Sequence, residues 1–289
     1  MRRFEYFEPE TVSEAIALLG QYNGQASIFA GGTDLLVEIK EHLRTPDYVI
    51  NIKKIPDMDH LTYSDTNGLR IGSLTTVRTV ETSSIVIEKY AGLAQAASEL
   101  GSIQVRNRAT VAGNICRASP SADTLPPLIA DGATVKVFGP MGEHVILLEE
   151  FFTGPGQTVL ARDEIMVEIA VPSPLPHTGK VYIKHGRRKA MELATVGVAV
   201  ALTLTGEVCE EVRIVLGAVA PTPIRARKAE EILRGRVVGE TTVTAAAQAA
   251  MEESRPISDV RGSAEYRREM VRVQTGRAIT EALRIAREE

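Results

Sequence analysis

The sequence predicts an α+β protein in which two α/β parts are followed by a C-terminal antiparallel sheet with helices. Three observations support this fold class. Predicted strands and helices alternate over residues 1–55 and again over residues 56–175, an order typical of α/β layers. Prolines at positions 172, 174 and 176 interrupt the chain, which favours a domain boundary there. A predicted hairpin and three helices follow, so residues 176–289 form the third predicted domain.

Composition excludes several classes of protein. Hydrophobic residues make up 44% of the 289 residues, which is enough for a sizeable core and too many for a disordered chain. The formal net charge of −4 gives no basic surface of the kind that binds nucleic acid. The longest apolar stretch, residues 196–204, is about half the length of a membrane-spanning helix. We therefore expect a cytoplasmic protein with no nucleic-acid partner and no membrane span.

The two cysteines, Cys116 and Cys209, limit the redox and metal chemistry of the chain. They are too few for a disulfide framework, which indicates a reducing compartment. They are also too few to hold an iron–sulfur cluster, which takes about four ligands. The five histidines show no metal-ligand spacing, so we predict no metal site. We expect Cys116 to be a small buried hydrophobic residue rather than a redox thiol.

The first part is expected to contain two helices between three short strands. Thr11 and Glu14 have the spacing of a capping box before the first helix. The second predicted helix contains Leu36, Ile39 and Leu43, and Pro46 marks its end. The strands are expected at residues 4–7, 26–30 and 48–52.

The second part is expected to alternate strands and helices again. Thr75 is predicted to cap a short helix. Pro126 and Pro127 lie in the first turn of another predicted helix, where their missing N–H groups cost little. In residues 165–171, β-branched residues alternate with other side chains, which predicts a half-buried strand. The other expected elements are strands at 69–72 and 134–138 and helices at 90–100 and 123–131.

The third part is expected to form an antiparallel sheet and then three helices. Gly206 and Glu207 suit a two-residue hairpin turn between two long strands. In the last helix, Tyr266, Met270 and Val273 share a face, as do Ile279, Leu283 and Ala286. The expected elements are strands at 181–185, 194–205 and 208–216 and helices at 225–233, 241–253 and 265–287.

The sequence Ala-Gly-Gly-Thr-Asp at residues 30–34 follows a predicted strand. Its two glycines allow positive φ angles and leave no Cβ atoms to block an approaching ligand. Backbone N–H groups in such a turn, at the start of a helix, are suited to binding a pyrophosphate. Taken alone, the segment also fits an ordinary tight strand-to-helix turn.

A second glycine-containing turn is predicted after the alanine-rich helix. Thr110 and Asn114 offer a hydroxyl and an amide beside Gly113. Ser119 and Asp123 add further polar groups. An irregular polar loop explains this polarity but does not explain the many small residues between the polar ones. Small residues with polar neighbours suit a large flat ligand that lies across the backbone.

Several common catalytic motifs are absent from the sequence. The chain has no Walker A motif, no Gly-x-Gly-x-x-Gly, no His-Glu-x-x-His, no Cys-x-x-Cys and no Gly-x-Ser-x-Gly. The sequence therefore predicts no catalytic residue, and any chemistry is expected to come from a bound cofactor.

Together, the two glycine-containing segments resemble the FAD motifs of the flavoprotein subunit of the molybdenum hydroxylases, the family of xanthine dehydrogenase and carbon monoxide dehydrogenase. The resemblance covers nearly the whole chain and includes the order of its elements. It implies the two-part FAD-binding fold of vanillyl-alcohol-oxidase-like flavoproteins for the first two parts, and the family's own C-terminal domain for the third. The segments that carry it are residues 30–36, 110–114 and 118–126.

The resemblance also implies a non-covalent FAD site. Residues 28–34 would wrap the pyrophosphate from one side and residues 110–114 from the other, while Asp123 would hydrogen-bond the ribityl or ribose region. The family often has Gly-Gly-Asn where Ala112 begins Ala-Gly-Asn in this chain, so we expect a slightly shifted pyrophosphate. The implied cofactor-binding residues are Ile28, Phe29, Ala30, Gly31, Gly32, Thr33, Asp34, Leu100, Thr110, Val111, Ala112, Gly113, Asn114, Ser119, Asp123, Met166 and Lys184.

The resemblance implies an electron-transfer role. In the family, a large subunit carries molybdopterin, a small subunit carries two [2Fe–2S] clusters, and FAD passes electrons from the clusters to NAD⁺, oxygen or another acceptor. We therefore expect an oxidoreductase subunit that is catalytically incomplete alone and has those two subunits as partners. Two alternatives stay open. One is a stand-alone flavin-dependent reductase of the same fold, such as an enolpyruvyl-UDP-N-acetylglucosamine reductase. The other is a non-catalytic nucleotide-binding or assembly subunit that has lost its flavin.

Overall fold

The computed structural model describes residues 3–188 and 190–288, which form three main sheets with helices packed around them. Residues 1–2 and 289, the outer limits of the first and third predicted domains, lie outside the described residues. The strands are β1 (Glu5–Phe7), β2 (Ala26–Phe29), β3 (Tyr48–Asn51), β4 (Leu61–Ser64), β5 (Gly68–Gly72), β6 (Thr134–Gly139), β7 (Gly142–Leu147), β8 (Phe152–Gly154), β9 (Gln157–Thr158), β10 (Ile165–Val171), β11 (Thr178–His185), β12 (Val196–Thr205), β13 (Val208–Gly217) and β14 (Ile224–Arg225). The helices are α1 (Val12–Gln21), α2 (Leu35–Lys40), α3 (Val77–Thr82), α4 (Ser84–Lys89), α5 (Ala91–Glu99), α6 (Ile103–Arg106), α7 (Val111–Arg117), α8 (Leu125–Ala130), α9 (Arg227–Leu233), α10 (Glu240–Glu253) and α11 (Ala264–Glu288).

The first part is a small parallel sheet with the strand order β1-β3-β2. Thr11 caps α1 as expected, because its Oγ1 accepts a hydrogen bond from the Glu14 N–H (3.1 Å). The second predicted helix is shorter than expected, because α2 does not include Leu43. The helix ends at Lys40, its buried residues are Leu35 and Ile39, and Leu43 lies beyond its end with 79% of its surface exposed.

The second part is a five-stranded antiparallel sheet with the order β4-β5-β10-β6-β7. Six helices, α3 to α8, lie between β5 and β6 along the chain. Thr76, rather than the predicted Thr75, caps α3, because the Thr75 hydroxyl donates to the His60 carbonyl oxygen (2.7 Å). A bulge between Met166 and Glu168 interrupts β10, so Met166 is buried against the expected alternation.

The third part is the antiparallel sheet β11-β12-β13-β14 with helices against it. One face belongs to the core of the second part through Tyr182, Ala199 and Val215. The other face belongs to the C-terminal core, which includes residues of β12, β13 and α11. Among the described residues, no helix has both the length and the apolar character needed to cross a membrane.

The buried face of α11 agrees with the prediction at Ile279, Leu283 and Ala286 but differs from it at the beginning of the helix. Tyr266 is exposed, whereas Arg267 and Val271 are buried. Arg267 is buried because Nη1 donates to the Thr195 and Ala218 carbonyl oxygens (3.2 and 3.1 Å), which satisfies part of the guanidinium inside the domain. Hydrophobic periodicity alone therefore misplaced the beginning of this face.

Candidate functional site

A cleft of about 750 Å³ lies where the first two parts of the chain meet, within the usual size range of ligand pockets of roughly 300–1,000 Å³. Its walls come from β2 and the following turn, the start of α7 and the start of β10. The segments 100–101 and 160–164 add to the wall, and residues 191–193 reach it from the C-terminal part. The fold thus brings both glycine-containing segments to one cavity.

The first glycine-containing segment forms the expected turn between β2 and α2. A Cβ atom at Gly31 would lie 2.1 Å from the Arg108 carbonyl oxygen, because the chain at 108–109 runs directly against the turn. Gly32 has a φ of +75°, and a Cβ atom there would lie 2.1 Å from the Phe29 ring. The protein's own packing therefore requires both glycines, and the turn also borders the cleft.

Lys53 supports this turn. Its Nζ donates to the Ala30 carbonyl oxygen (3.2 Å) and lies 3.4 Å from the centroid of the Phe29 ring. Burial lowers the pKa of Lys53, and the neighbouring Arg108 lowers it further. Because two cations crowd the turn, an anion bound there would relieve their repulsion.

The second glycine-containing segment is not a turn but the start of helix α7, which corrects the sequence interpretation. Thr110 is the N-cap, and its Oγ1 accepts a hydrogen bond from the Gly113 N–H (3.0 Å). Gly113 lines the cleft, and a Cβ atom there would have one described neighbour within 4 Å, Thr110 Oγ1 at 2.9 Å. Asn114 is fixed by the Thr124 hydroxyl, which donates to its Oδ1 (2.7 Å). Helix α7 therefore contributes small residues to the cleft wall, together with the Asn114 amide, whose position is fixed by Thr124.

Asp123 connects the cleft to the C-terminal sheet through a buried ion pair. Lys184 Nζ donates to Asp123 Oδ2 (2.8 Å) and to the Glu99 carbonyl oxygen (3.0 Å). The Tyr182 hydroxyl donates to Asp123 Oδ1 (2.8 Å). Burial raises the pKa of Asp123, and the charge of Lys184 opposes that rise. Both carboxylate oxygens have a protein donor, and each keeps acceptor capacity for a ligand.

Known protein families resemble the two halves of the chain separately. Residues 2–174 match a family model described as the FAD binding domain in molybdopterin dehydrogenase, and residues 181–282 match the CO dehydrogenase flavoprotein C-terminal domain. The chain belongs to the FAD-binding subunits of the molybdenum hydroxylases. This confirms the family predicted from the two glycine-containing segments, and FAD as the cofactor of this flavoprotein subunit.

The flavoprotein subunit is similar to subunits of dehydrogenase complexes over nearly its whole length. It is 33% identical over 282 residues to the xanthine dehydrogenase FAD-binding subunit of Escherichia coli O157:H7, which covers 97% of this chain and 96% of that protein. It is 36% identical over 280 residues to the carbon monoxide dehydrogenase medium chain of Hydrogenophaga pseudoflava, with 97% of each chain covered. These relatives confirm an oxidoreductase subunit and do not favour the stand-alone reductase.

A solved structure has the same fold as the flavoprotein subunit. It is the carbon monoxide dehydrogenase from Hydrogenophaga pseudoflava that lacks the Mo-pyranopterin moiety of the molybdenum cofactor. The match has a TM-score of 0.95 at 36% identity and covers 98% of both chains. This confirms the predicted fold class, while the domain limits predicted at residues 55 and 175 stay predictions.

Fourteen of the seventeen predicted site residues line the cleft. Phe29 packs its ring under Lys53, and Val111 is buried in the core of the second part. Lys184 reaches the site through its ion pair with Asp123. The fourteen lining residues are Ile28, Ala30, Gly31, Gly32, Thr33, Asp34, Leu100, Thr110, Ala112, Gly113, Asn114, Ser119, Asp123 and Met166.

Sequence reasoning missed the arginines at the cleft. Arg44 and Arg117 both line it and pair with Glu38, at 3.4 and 2.9 Å. Arg162 lines it from another segment. These arginines come from three separate segments and belong to no motif, so only the tertiary fold identifies them.

Cys116 also lines the cleft, which corrects the expectation that it is buried. Although the residue lines the cleft, protein surrounds its thiol and keeps water away from it. This loss of hydration raises the pKa of Cys116 to about 12. A thiol with so high a pKa is protonated and a poor nucleophile near neutral pH. Across residues 3–188 and 190–288, no group of three or more His, Cys, Asp or Glu side chains is arranged to hold a metal ion.

The lining of the cleft fits FAD. Backbone and small side chains such as Ala30 and Gly113 leave room for a diphosphate, since larger side chains would fill that space. Ser73 Oγ, a buried hydroxyl on the lining, has no hydrogen-bond partner among the described residues, as expected where a ligand supplies one. Apolar side chains suited to a flat ring come from Ile28, Leu100, Leu160, Ile165 and Met166.

Proposed function

We propose that the cleft holds one FAD without a covalent bond, in contact with the fourteen lining residues predicted from the sequence. The observation that carries this proposal is that the turn at 30–34 and the start of α7, distant in sequence, border one cavity. Their backbone N–H groups and small side chains would hold the diphosphate. Leu100 and Met166 would contact the flavin ring, and Asp123 would bind the ribityl or ribose region.

The remaining predicted site residues act from behind the lining. Phe29 and Val111 would hold the two diphosphate-binding segments in place through their packing. Lys184 would keep the Asp123 carboxylate ionised and oriented. Phe29, Val111 and Lys184 would therefore support the site without contacting FAD themselves.

Non-covalent binding has two supports in the chain. Residues 28–34 contain no histidine or cysteine that could form a flavin linkage. The Cys116 thiol on the lining is held protonated by its raised pKa. Acid or heat is therefore expected to release all flavin as free FAD. Flavin that stays with the precipitated protein would contradict non-covalent binding, and a colourless chain that takes up no added FAD would contradict the site.

We propose that the chain works beside a molybdopterin-binding large subunit and a [2Fe–2S] small subunit. FAD bound in the cleft would supply the redox chemistry that connects the clusters with an external acceptor. The residues of this chain bind and orient the cofactor and keep part of it away from water. The support is that relatives over nearly the full length are named as an FAD-binding subunit and a medium chain. We propose NAD⁺ or another external molecule as the electron acceptor. We propose the cytoplasm as the location, because both cysteines are free.

The substrate of the complex is not assigned from this subunit. The relatives named for xanthine and for carbon monoxide are 33% and 36% identical to it, respectively. The identity is similar for relatives from enzymes that act on different substrates. The sequence of this subunit therefore does not indicate which substrate the complex uses. We propose that a partner subunit determines the substrate.

Anaerobic absorbance of the purified chain tests the proposed division of labour. Dithionite or NADH is expected to bleach the flavin of the isolated chain. Xanthine, nicotinate, aldehydes and carbon monoxide are expected to bleach it only when the co-purifying partners are present. Rapid bleaching of the isolated chain by any of these four would show that it has its own substrate site, and the stand-alone flavin-dependent enzyme would replace the proposal.

A further inference from the structure

Ser73 lies on the cleft lining and was not singled out by any sequence motif. It follows β5 directly, and its N–H donates to the Val167 carbonyl oxygen beside the bulge in β10 (3.1 Å). Only 2% of its surface is exposed. Its backbone is therefore held in place, and the residue forms part of the cavity wall.

The Ser73 hydroxyl is an exception among the buried polar groups of this region. Its Oγ has no hydrogen-bond partner among the described residues. Two residues further on, the buried Thr75 hydroxyl donates to the His60 carbonyl oxygen. Native proteins rarely leave a buried hydroxyl unpaired, because burial removes its water and costs free energy.

Five side-chain atoms share this property within residues 3–188 and 190–288, and one of them belongs to a cleft residue. The others lie in the C-terminal part, in Thr195, Arg261, Arg267 and Thr275. Thr275 provides a comparison, because it is completely buried in α11 and does not line the cleft. Position therefore distinguishes Ser73, because it lines the cleft and the other four residues do not.

We propose that the Ser73 hydroxyl forms a hydrogen bond to a nitrogen or oxygen atom of the bound FAD. This inference rests on the proposed function, because it requires FAD to occupy this cleft. It adds a binding residue at the end of β5, a strand that contributes none of the seventeen residues predicted from the sequence. It also explains the orphaned hydroxyl: the partner absent from the protein is supplied by the cofactor.

Ser73→Ala separates this role from a structural one, because the two predict opposite effects on apoprotein and holoprotein. Removing an unpaired buried hydroxyl is expected to leave the apoprotein as stable as the wild type, or more stable. Removing a bond to FAD is expected to weaken FAD binding roughly threefold to tenfold. The measurements are denaturant unfolding of the flavin-free chain and a fluorescence titration with FAD.

Thr275→Val is the matched control, because it removes another unpaired buried hydroxyl while keeping the side-chain shape. It is expected to preserve apoprotein stability and to leave FAD affinity unchanged. Equal FAD affinity for wild type and Ser73→Ala would overturn the inference while leaving the proposed site intact. A destabilised Ser73→Ala apoprotein would also overturn it, by showing that the hydroxyl has a partner within the protein. Failure of the wild-type chain to bind FAD would overturn the proposed function itself.

Discussion

Strands β2 and β11 are both edge strands, yet they are covered very differently. None of the four residues of β2 is fully buried, whereas five of the eight residues of β11 are. Helices α5 and α11 pack on β11, but Ala26, Ser27 and Ile28 of β2 border the cleft. Parallel sheets are normally covered on both faces. The incomplete cover of β2 is what a ligand in the cleft would complete, whereas β11 is covered by helices of the chain itself.

The substitution Ile279→Ala is expected to have the largest effect on stability. It tests whether the C-terminal core can be weakened without changing FAD binding at the cleft. Ile279 is fully buried in the C-terminal core. Its truncation is expected to lower the free energy of unfolding by about 3 kcal/mol. FAD affinity is expected to stay within about twofold of wild type at temperatures where the variant is folded. Urea unfolding with an FAD titration checks this, and a large loss of affinity would show that the two regions are not separable.

Gly31→Ala perturbs the other region. The added Cβ would lie 2.1 Å from the Arg108 carbonyl oxygen, so the turn or the segment against it must move. Such overpacking costs about 1–3 kcal/mol, and we expect FAD affinity to fall at least about tenfold.

Gly239→Ala is the control for this variant in the C-terminal part. A Cβ atom at Gly239 meets nothing within 4 Å, and the φ of this residue is −140°. Its FAD affinity is expected to match the wild type in the same titration. If Gly31→Ala binds FAD as tightly as the wild type, the turn at residues 30–34 is not part of the FAD site.

The cleft and the C-terminal part are expected to respond differently to acid, because folding raises the pKa of Asp123 and lowers the pKa of Asp259. In the C-terminal part, hydrogen bonds from Arg261 and the charge of Arg267 hold the pKa of Asp259 below its usual value. Stability from this carboxylate is therefore present above the unfolded-state pKa, about 3.9, and is lost as the pH falls below it. At the cleft, burial raises the pKa of Asp123, so protonation there favours the folded state.

Asp259→Asn tests this acid effect, which is the smallest of those expected. The variant should be less stable than wild type near neutral pH, and the difference should shrink between about pH 5 and about pH 2. Denaturant unfolding across this range measures it. A difference that stays constant with pH would contradict the role assigned to the Asp259 carboxylate.

Much of the fold could be predicted because it depends on local signals. Thr11 and the proline-containing start of α8 marked helix starts correctly, and Gly206 and Glu207 marked the long hairpin. Errors occurred where distant contacts decided the outcome. Thr75 and Thr76 are equivalent as caps in sequence, and only the contact of Thr75 with His60 distinguishes them.

The site was predictable only in the part that consists of short motifs. The turn at 30–34 and the segment 110–114 carry small residues at characteristic spacing, and both reach the cleft. Ser73, Arg162 and residues 191–193 come from segments with no such pattern. Their place at the site results from strand pairing and domain packing, which a single sequence does not display.

Hydrogen exchange of the chain with and without FAD tests the central claim most directly. If FAD occupies the cleft, added FAD should slow amide exchange in residues 26–35, 109–123 and 165–167, which surround it. Exchange in α10, away from the cleft, should change little. Strong protection of α10 with no change in residues 26–35 and 109–123 would contradict the account, because the cofactor would then bind elsewhere.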